Sequence, residues 1–394
     1  MINKTSRLLF ITERFPPDIG GVASSADRLC KNLSQLGLEV DILVWSRYLQ
    51  PGELLQPDVT LTNSKNPQVY RIGRYRHWDM TMPHTLNILD WLQQNRNYNM
   101  IWGHYIFPGG FLATCFAAMN NLISIVSVRG NDIDKEMFPP GDFARLQWTL
   151  TTANVITTVT QDLAKKVKIL SNRNDIKVIK NAVNTDIFCL AKTDIKLNNL
   201  KPELGIAENE IILGFSGELR EKKGQRFLLD ALNKVREKYP ACLLIIGEVR
   251  NTQETVLQLY KNQYPENSER IIITGHLQDR LTIANYLQLC DIYLQPSLWE
   301  GMPNALLEAM ACGCCCIVSD AGGIPEIMEN GKEGFILPRH QLNYLGDAIL
   351  ECWELGLEMR KKIGLAASDR IQKEFSLASE KQRLQTILSS IIQN

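Results

Sequence analysis

Between Gln295 and Asp320 the chain reads QPSLWEGMPNALLEAMACGCCCIVSD, with seven residues separating Glu300 from Glu308. A strand should end near Gln295, a loop should carry Glu300 and Gly301, and Pro303 should open a helix, where its missing N–H is not needed. The free N–H groups of a first helical turn, aligned with the helix dipole, attract an anion, and Gly301 lets backbone approach a ligand closely. Glu308 would then lie inside the helix and Glu300 in the loop before it. One carboxylate can accept hydrogen bonds from hydroxyls beyond a bound diphosphate, the other from hydroxyls on its near side. A sugar nucleotide carries hydroxyls on both sides. On spacing alone the two residues read equally well as solvated glutamates beside an ordinary helix cap.

Other loops have the same character. Ala321 to Glu326 (AGGIPE) places Gly322 and Gly323 after an apolar run, and Gly217 to Gly224 (GELREKKG) follows another. Its Lys223, backed by Arg220, can neutralise a diphosphate leaving group. A single basic loop is ordinarily solvated surface; three such loops after three strands are harder to dismiss. Earlier in the chain, Gly20 and Gly21 lie in FPPDIGG, His104 precedes FPGG, and Arg129, Gly130 and Asp132 lie in SVRGND. A lone histidine such as His104 is ordinarily a buried, hydrogen-bonded side chain.

These residues need elements to hold them. Arg7–Thr12, a helical pattern over Ala23–Leu36 and Val40–Trp45 make a strand–helix–strand unit, which implies a parallel sheet. Further apolar runs follow at 100–102, 123–128, 155–159 and 178–179. Leu190 to Glu210 is polar and reads as a linker. Strand and helix patterns then alternate from Ile211 to Ser319, and from Gln341 the pattern is helical. Two doubly wound α/β domains are expected, with the loops at their strands' carboxyl ends facing a shared cleft.

Composition limits what such a chain can do. It has 394 residues, 43 Lys+Arg against 43 Asp+Glu, and 45% hydrophobic residues. A protein relying on phosphate neutralisation along a nucleic acid would be basic, so no nucleic-acid partner is expected. The ten cysteines read as reduced thiols of a cytoplasmic protein. Cys312, Cys314, Cys315 and Cys316 find no second Cys/His cluster with which to hold zinc, so no metal is expected. No apolar run suits a signal peptide or a membrane span. A basic stretch at Lys165, Lys166, Lys168, Arg173, Lys177 and Lys180 could touch anionic lipid at the inner membrane face, or be a solvated helix face.

EGMPNALLE, the EAMACG and SDAGGIPE that follow, and the glycine loop FPPDIGG together resemble the retaining glycosyltransferases of the GT4 group, with the two-Rossmann GT-B fold. The resemblance covers nearly the whole chain. It implies a 1–190 acceptor domain, a 191–370 nucleotide-sugar-binding domain and a 371–394 segment whose helix crosses back to the first. It implies transfer of a sugar from a UDP- or GDP-linked donor to a hydroxyl of a saccharide or lipid-linked acceptor, without a cofactor. Glu300 matches the glutamate that contacts the donor sugar, and Glu308 the one that binds ribose hydroxyls. The backbone of Gly301, Met302, Asn304 and Ala305 would hold sugar and diphosphate. Lys223 and Arg220 would serve the diphosphate beside Gly217, Gly20 and Gly21 match the glycine loop, and His104 matches a histidine near the transferred sugar.

The chain departs from the family pattern at several positions. The arginine expected after Gly217 is Glu218, and the histidine often seen in the loop of Arg129 and Asp132 is Arg129 itself. These two changes motivate an alternative, a non-catalytic relative that acts as a binding or complex-forming subunit. An epimerase or phosphorylase on the same architecture is a further reading, but no cofactor lysine is found for a phosphorylase. A nicotinamide dehydrogenase is disfavoured, since no GxGxxG follows the first strand.

Overall fold

The structure is a computed structural model and describes residues 6–57, 67–136, 138–191 and 200–392. The chain divides into two compact units. One runs to Asn181 and is rejoined from Glu380; the other runs from Ala182 to Ser379.

The first unit is built on β1 (Arg7–Thr12), β2 (Glu39–Ser46), β3 (Leu54–Leu55), β4 (Gln68–Gly73), β5 (Met100–His104), β6 (Ile123–Val128), β7 (Val155–Thr158) and β8 (Lys177–Val178). Their order in the sheet is β3-β4-β2-β1-β5-β6-β7-β8. Every pair is parallel except β3 with β4. A parallel sheet covered on both faces needs apolar residues all along its strands, and Leu8, Leu9, Phe10 and Ile11 of β1 are all fully buried. The final helix, Leu377–Ile392, supplies Leu384, Ile387 and Leu388 to the cluster around Leu8, Phe10, Leu29 and Leu33.

The second unit contains β9 (Ile211–Ser216), β10 (Ala241–Ile246), β11 (Ile271–Ile273), β12 (Ile292–Gln295), β13 (Cys316–Ser319) and β14 (Phe335–Leu337). They form an all-parallel sheet in the order β11-β10-β9-β12-β13-β14. In both units the order reverses beside the first strand, between β1 and β5 and between β9 and β12. In open α/β sheets, ligands bind where the strand order reverses, beyond the strands' carboxyl ends.

The two doubly wound α/β units agree with the sequence reading, but several details differ. Strands β3, β4 and β14 were not expected; two of them have only two or three residues. Pro303 is not the first helical residue. It precedes the helix Asn304–Ala311 in an extended conformation, φ −72° and ψ 118°. The segment after Ala182 lies with the second unit, where the sequence reading draws the boundary at 190–191. The Val183 N–H donates to the Phe375 carbonyl at 2.8 Å, and Phe188 is buried beneath the Arg280 guanidinium, 4.9 Å from its ring centre. Of the expected Leu190–Glu210 linker, residues 192–199 lie outside the described residues. All ten cysteines are free thiols, and Cys312, Cys314, Cys315 and Cys316 are buried in the second unit's core.

Candidate active site

In the second unit, the two loops flanking the reversal point are joined by one ion pair. Lys223 ends a short 3-10 turn, Glu221–Lys223, after β9, and Glu300 lies in the loop after β12. Lys223 Nζ stands 2.5 Å from Glu300 Oε1, with the side chains only 13% and 7% exposed. The same oxygen accepts from Ser297 Oγ at 2.8 Å and Gln295 Nε2 at 3.0 Å. Burial pushes the Glu300 carboxyl up, but the charges of Lys223 and Lys222 outweigh it and hold the group below the usual glutamate range.

Backbone contacts fix both loops. The Leu298 N–H donates to the Lys222 carbonyl at 2.8 Å. Gly224 has φ +76°, and a β-carbon there would overlap the Pro296 carbonyl. Gly322, at φ +54°, lies so close that a β-carbon would overlap the Glu300 carbonyl, while the Gly323 N–H donates to the Gly301 carbonyl at 2.8 Å. The AGGIPE loop thus supports the Glu300 loop from beneath. At their end, the Asn304–Ala311 helix begins; the N–H groups of Asn304, Ala305 and Leu306 have no acceptor within the helix. Met302 is buried.

Glu308 lies one turn along the helix. Its Oε1 pairs with the Arg280 guanidinium at 2.6 Å. The family arginine missing after Gly217 has a counterpart in charge rather than position. Glu218 pairs with Arg250 at 2.8 Å and also faces Arg220 at 3.2 Å. The Arg220 contact is an ion pair by distance only, because its buried Nε makes no hydrogen bond. The Arg250 and Arg280 pairings escaped the sequence reading; partners 28 to 32 residues away meet only once neighbouring strands align. A cavity of about 570 Å³ beside Glu210, Arg236, Lys238 and Arg270 opens at the amino ends of β9–β11, the opposite edge of the sheet from Glu300.

In the first unit, His104 ends β5 and is 1% exposed. Its Nδ1 lies 3.2 Å from Thr12 Oγ1 and its Nε2 3.3 Å from Ser25 Oγ. Burial, reinforced by Arg129 and Arg28, pushes the imidazole well below its usual value and keeps it neutral. Arg129 is also buried. It donates to Asn181 Oδ1 at 2.6 Å, and burial first, then the charge of Arg28, lowers it to about 10. The Asp132 carboxylate accepts from the N–H groups of Gly130 (2.7 Å), Arg129 (3.1 Å) and Ile106 (3.3 Å). Arg129 and Asp132 therefore organise the loop after β6. Gly20 precedes the helix Gly21–Gln35, and both Gly20 and Gly21 are exposed beyond the carboxyl end of β1. A cavity of about 420 Å³ lies nearby, lined by Glu13, Arg14, Asp18, Trp45, Arg47 and Tyr48. The sequence reading proposed none of these six as site residues, although Asp18 lies within FPPDIGG and Trp45 ends its second strand. Glu13 and Arg14 follow β1 directly, and Trp45, Arg47 and Tyr48 lie within or just after β2.

Residues 19–187 match the family described as Glycosyltransferase Family 4, and residues 210–354 match Glycosyl transferases group 1. The chain belongs to these glycosyltransferases. A Bacillus anthracis relative, N-acetyl-alpha-D-glucosaminyl L-malate synthase, is 24% identical over 381 residues, 96% of each chain. A Corynebacterium glutamicum relative is the GDP-mannose-dependent monoacylated alpha-(1-6)-phosphatidylinositol monomannoside mannosyltransferase. It is 24% identical over 99% of each chain. Among solved structures, Anabaena HepE in complex with UDP-glucose aligns with a TM-score of 0.79 at 18% identity, over 98% of this chain and 99% of that one. Both units of the glycosyltransferase thus have the GT-B type of Rossmann-like architecture. Among the described residues, no helix is long and apolar enough to cross a membrane, and no three His, Cys, Asp or Glu side chains gather as a metal site.

Proposed function

We propose that this glycosyltransferase moves a sugar, with retention of anomeric configuration, from a UDP- or GDP-linked donor to a hydroxyl of a saccharide or lipid-linked acceptor. The observation that carries the reading is the buried Lys223–Glu300 junction beside the open first turn of the Asn304 helix. The donor's diphosphate takes the helix N-terminus, where fixed N–H dipoles and the cations of the Gly217–Gly224 loop stabilise charge developing on the leaving phosphate. Glu300, held as a carboxylate, accepts from hydroxyls of the transferred sugar. Glu308 accepts from the ribose hydroxyls, its Arg280 partner fixing the carboxylate's orientation. The acceptor hydroxyl attacks on the face that the phosphate leaves, and its proton passes to the departing phosphate.

The acceptor is assigned to the first unit's cavity, where the Glu13 and Asp18 carboxylates can accept from hydroxyls and the exposed Tyr48 ring can stack on a sugar face. His104 serves as a positioning residue, since both ring nitrogens already face hydroxyls of its own unit. Lipid-surface contact would use Lys165, Lys168 and the exposed Ile169. Lys166 and Arg173 contribute less, being paired with Asp134 and Asp162 and with Asp175.

A non-catalytic subunit gains no support from the two departures that suggested it. Glu218 is matched by Arg250 and Arg220, and Arg129 is built into the loop it occupies. The direct test is a thermal-shift panel of UDP-, GDP-, ADP- and dTDP-linked sugars, with Glu308→Ala as control. A ligand of the native state raises the midpoint by mass action. A rise with one nucleotide class, lost in the control, supports the reading, and no rise with any donor overturns it.

A further inference from the structure

The four cysteines of residues 312–316 are not equivalent. The thiols of Cys312, Cys314 and Cys316 lie against backbone carbonyls, those of Ala284 at 3.9 Å, Leu287 at 3.1 Å and Cys314 at 3.4 Å. Side chains alternate along an extended chain, so Cys315 shares the opposite face with Ile317. Both belong to the core cluster that holds Ile349, Leu350 and Cys352 of the helix Leu345–Glu354. There Cys315 meets sulfur instead of oxygen. Its Sγ lies 3.5 Å from Cys352 Sγ, and both residues are buried. Among the described residues this is the only contact between two cysteine sulfurs. A disulfide bond is about 2 Å long, so the sulfurs need approach by only about 1.5 Å to form one.

Burial ordinarily leaves a thiol inert, because the thiolate is the reactive form. Here the hydrogen bond from Cys315 lowers the Cys352 thiol against the effect of burial, and the Arg360 charge adds to the lowering. Cys315 is pushed up by the same hydrogen bond and then by burial. The Arg360 guanidinium is fixed at the end of the helix, donating to the Trp353 carbonyl at 2.7 Å and lying 3.9 Å from its ring centre. Cys352 is in the last turn of that helix, and helix ends open locally at little cost, enough to admit a molecule as small as hydrogen peroxide.

We propose that Cys315 and Cys352 are a modification site for peroxide, closing reversibly into a disulfide that fastens the Leu345–Glu354 helix to β13. The Cys352 thiol gives up its proton and its sulfur attacks one peroxide oxygen. The O–O bond breaks, the departing hydroxide takes that proton as water, and Cys352 becomes a sulfenic acid. The Cys315 sulfur then attacks the Cys352 sulfur, the S–O bond breaks, and a second water leaves with the Cys315 proton. Two thiols are oxidised by two electrons in all, and one peroxide is reduced to two waters. The helix has little slack elsewhere. A β-carbon on Gly346 would overlap the Lys234 side chain of the helix Gln225–Arg236. The new bond would join residues 37 apart in sequence and so restrict the unfolded chain.

The test treats the full chain with hydrogen peroxide, maps its peptides by mass without reduction, and records the thermal midpoint. A peptide pair linked through Cys315 and Cys352, lighter by two hydrogens, should appear. The midpoint should rise by roughly 5–10 °C, and dithiothreitol should reverse both changes. Cys352→Ala should lose the linked pair and the peroxide-dependent rise, whatever its own starting midpoint, whereas Cys115→Ala in the first unit should keep both. The unmodified chain decides the matter even where a variant folds poorly. If peroxide leaves Cys315 and Cys352 unlinked, carries Cys352 to a sulfinic acid, or links either residue to another cysteine, the proposal is overturned. A Cys315–Cys352 link without a rise in midpoint overturns the fastening role.

Discussion

Lys223 Nζ and Glu300 Oε1 meet at 2.5 Å across the point where the second sheet reverses its strand order, tying the loop after β9 to the loop after β12. Removing one partner of a buried pair leaves the other charge unmatched. Lys223→Met should therefore destabilise the second unit by about 3 kcal/mol, read as a shift in the urea midpoint at pH 7. Because the folded carboxyl of Glu300 titrates below its usual value near 4.5, its stabilisation is present above that value and is lost as pH falls through the lower folded value. In Lys223→Met this acid-side loss should shrink. An equal acid slope in both proteins would contradict the role given to the pair.

The His104 imidazole titrates well below 6.5 in the folded chain. The unfolded chain therefore binds the extra proton first, and stability should fall as pH drops through about 6.5. His104→Gln keeps a polar side chain between Thr12 and Ser25 and removes that titration. Urea midpoints at pH 7.5 and 5.5 should differ less in the variant than in the unmodified chain.

Glu380 is fully buried and accepts both oxygens' worth of hydrogen bonds from Arg28, at 3.0 and 3.1 Å, with Asn32 adding one at 2.7 Å. Glu380→Ala should cost about 3–5 kcal/mol by leaving Arg28 unmatched. The damage should fall on the first unit. Hydrogen exchange should speed up in β1 and β2 while β9 and β10 keep their protection.

Gly322 has positive φ and no room for a β-carbon above the Glu300 carbonyl. Gly322→Ala should lower stability by about 1–3 kcal/mol and cut sugar transfer more than nucleotide binding, since the displaced loop carries Glu300. Transfer rate and nucleotide affinity, measured on the same preparation, separate the two effects.

Much of this was legible in the chain itself. Continuous apolar runs mark the buried parallel strands, and EGMPNALLE places a loop glutamate and a helical glutamate on one anion-binding element. Short edge strands escaped because Leu54–Leu55 and Phe335–Leu337 are too brief to show a period. The pairings of Lys223 with Glu300, Glu218 with Arg250, and Glu308 with Arg280 were invisible for a different reason. Each depends on which loops the sheet order makes neighbours, and that order is a property of the whole unit. The expectation that Lys223 is the diphosphate cation followed from motif position; its pairing with Glu300 became apparent only with the loops in place.

The return of the chain to the first unit has a consequence for how the protein is made. Leu384, Ile387 and Leu388 belong to the same core as Leu8 and Phe10, so β1 leaves the ribosome long before the helix that completes its core. During synthesis the middle of the chain, from Ala182 to Ser379, can complete its own core first. The first unit remains an unfinished shell until the Leu377–Ile392 helix has been made, and a nascent chain stopped at Ser379 would carry an open apolar seam along β1 for chaperones to cover.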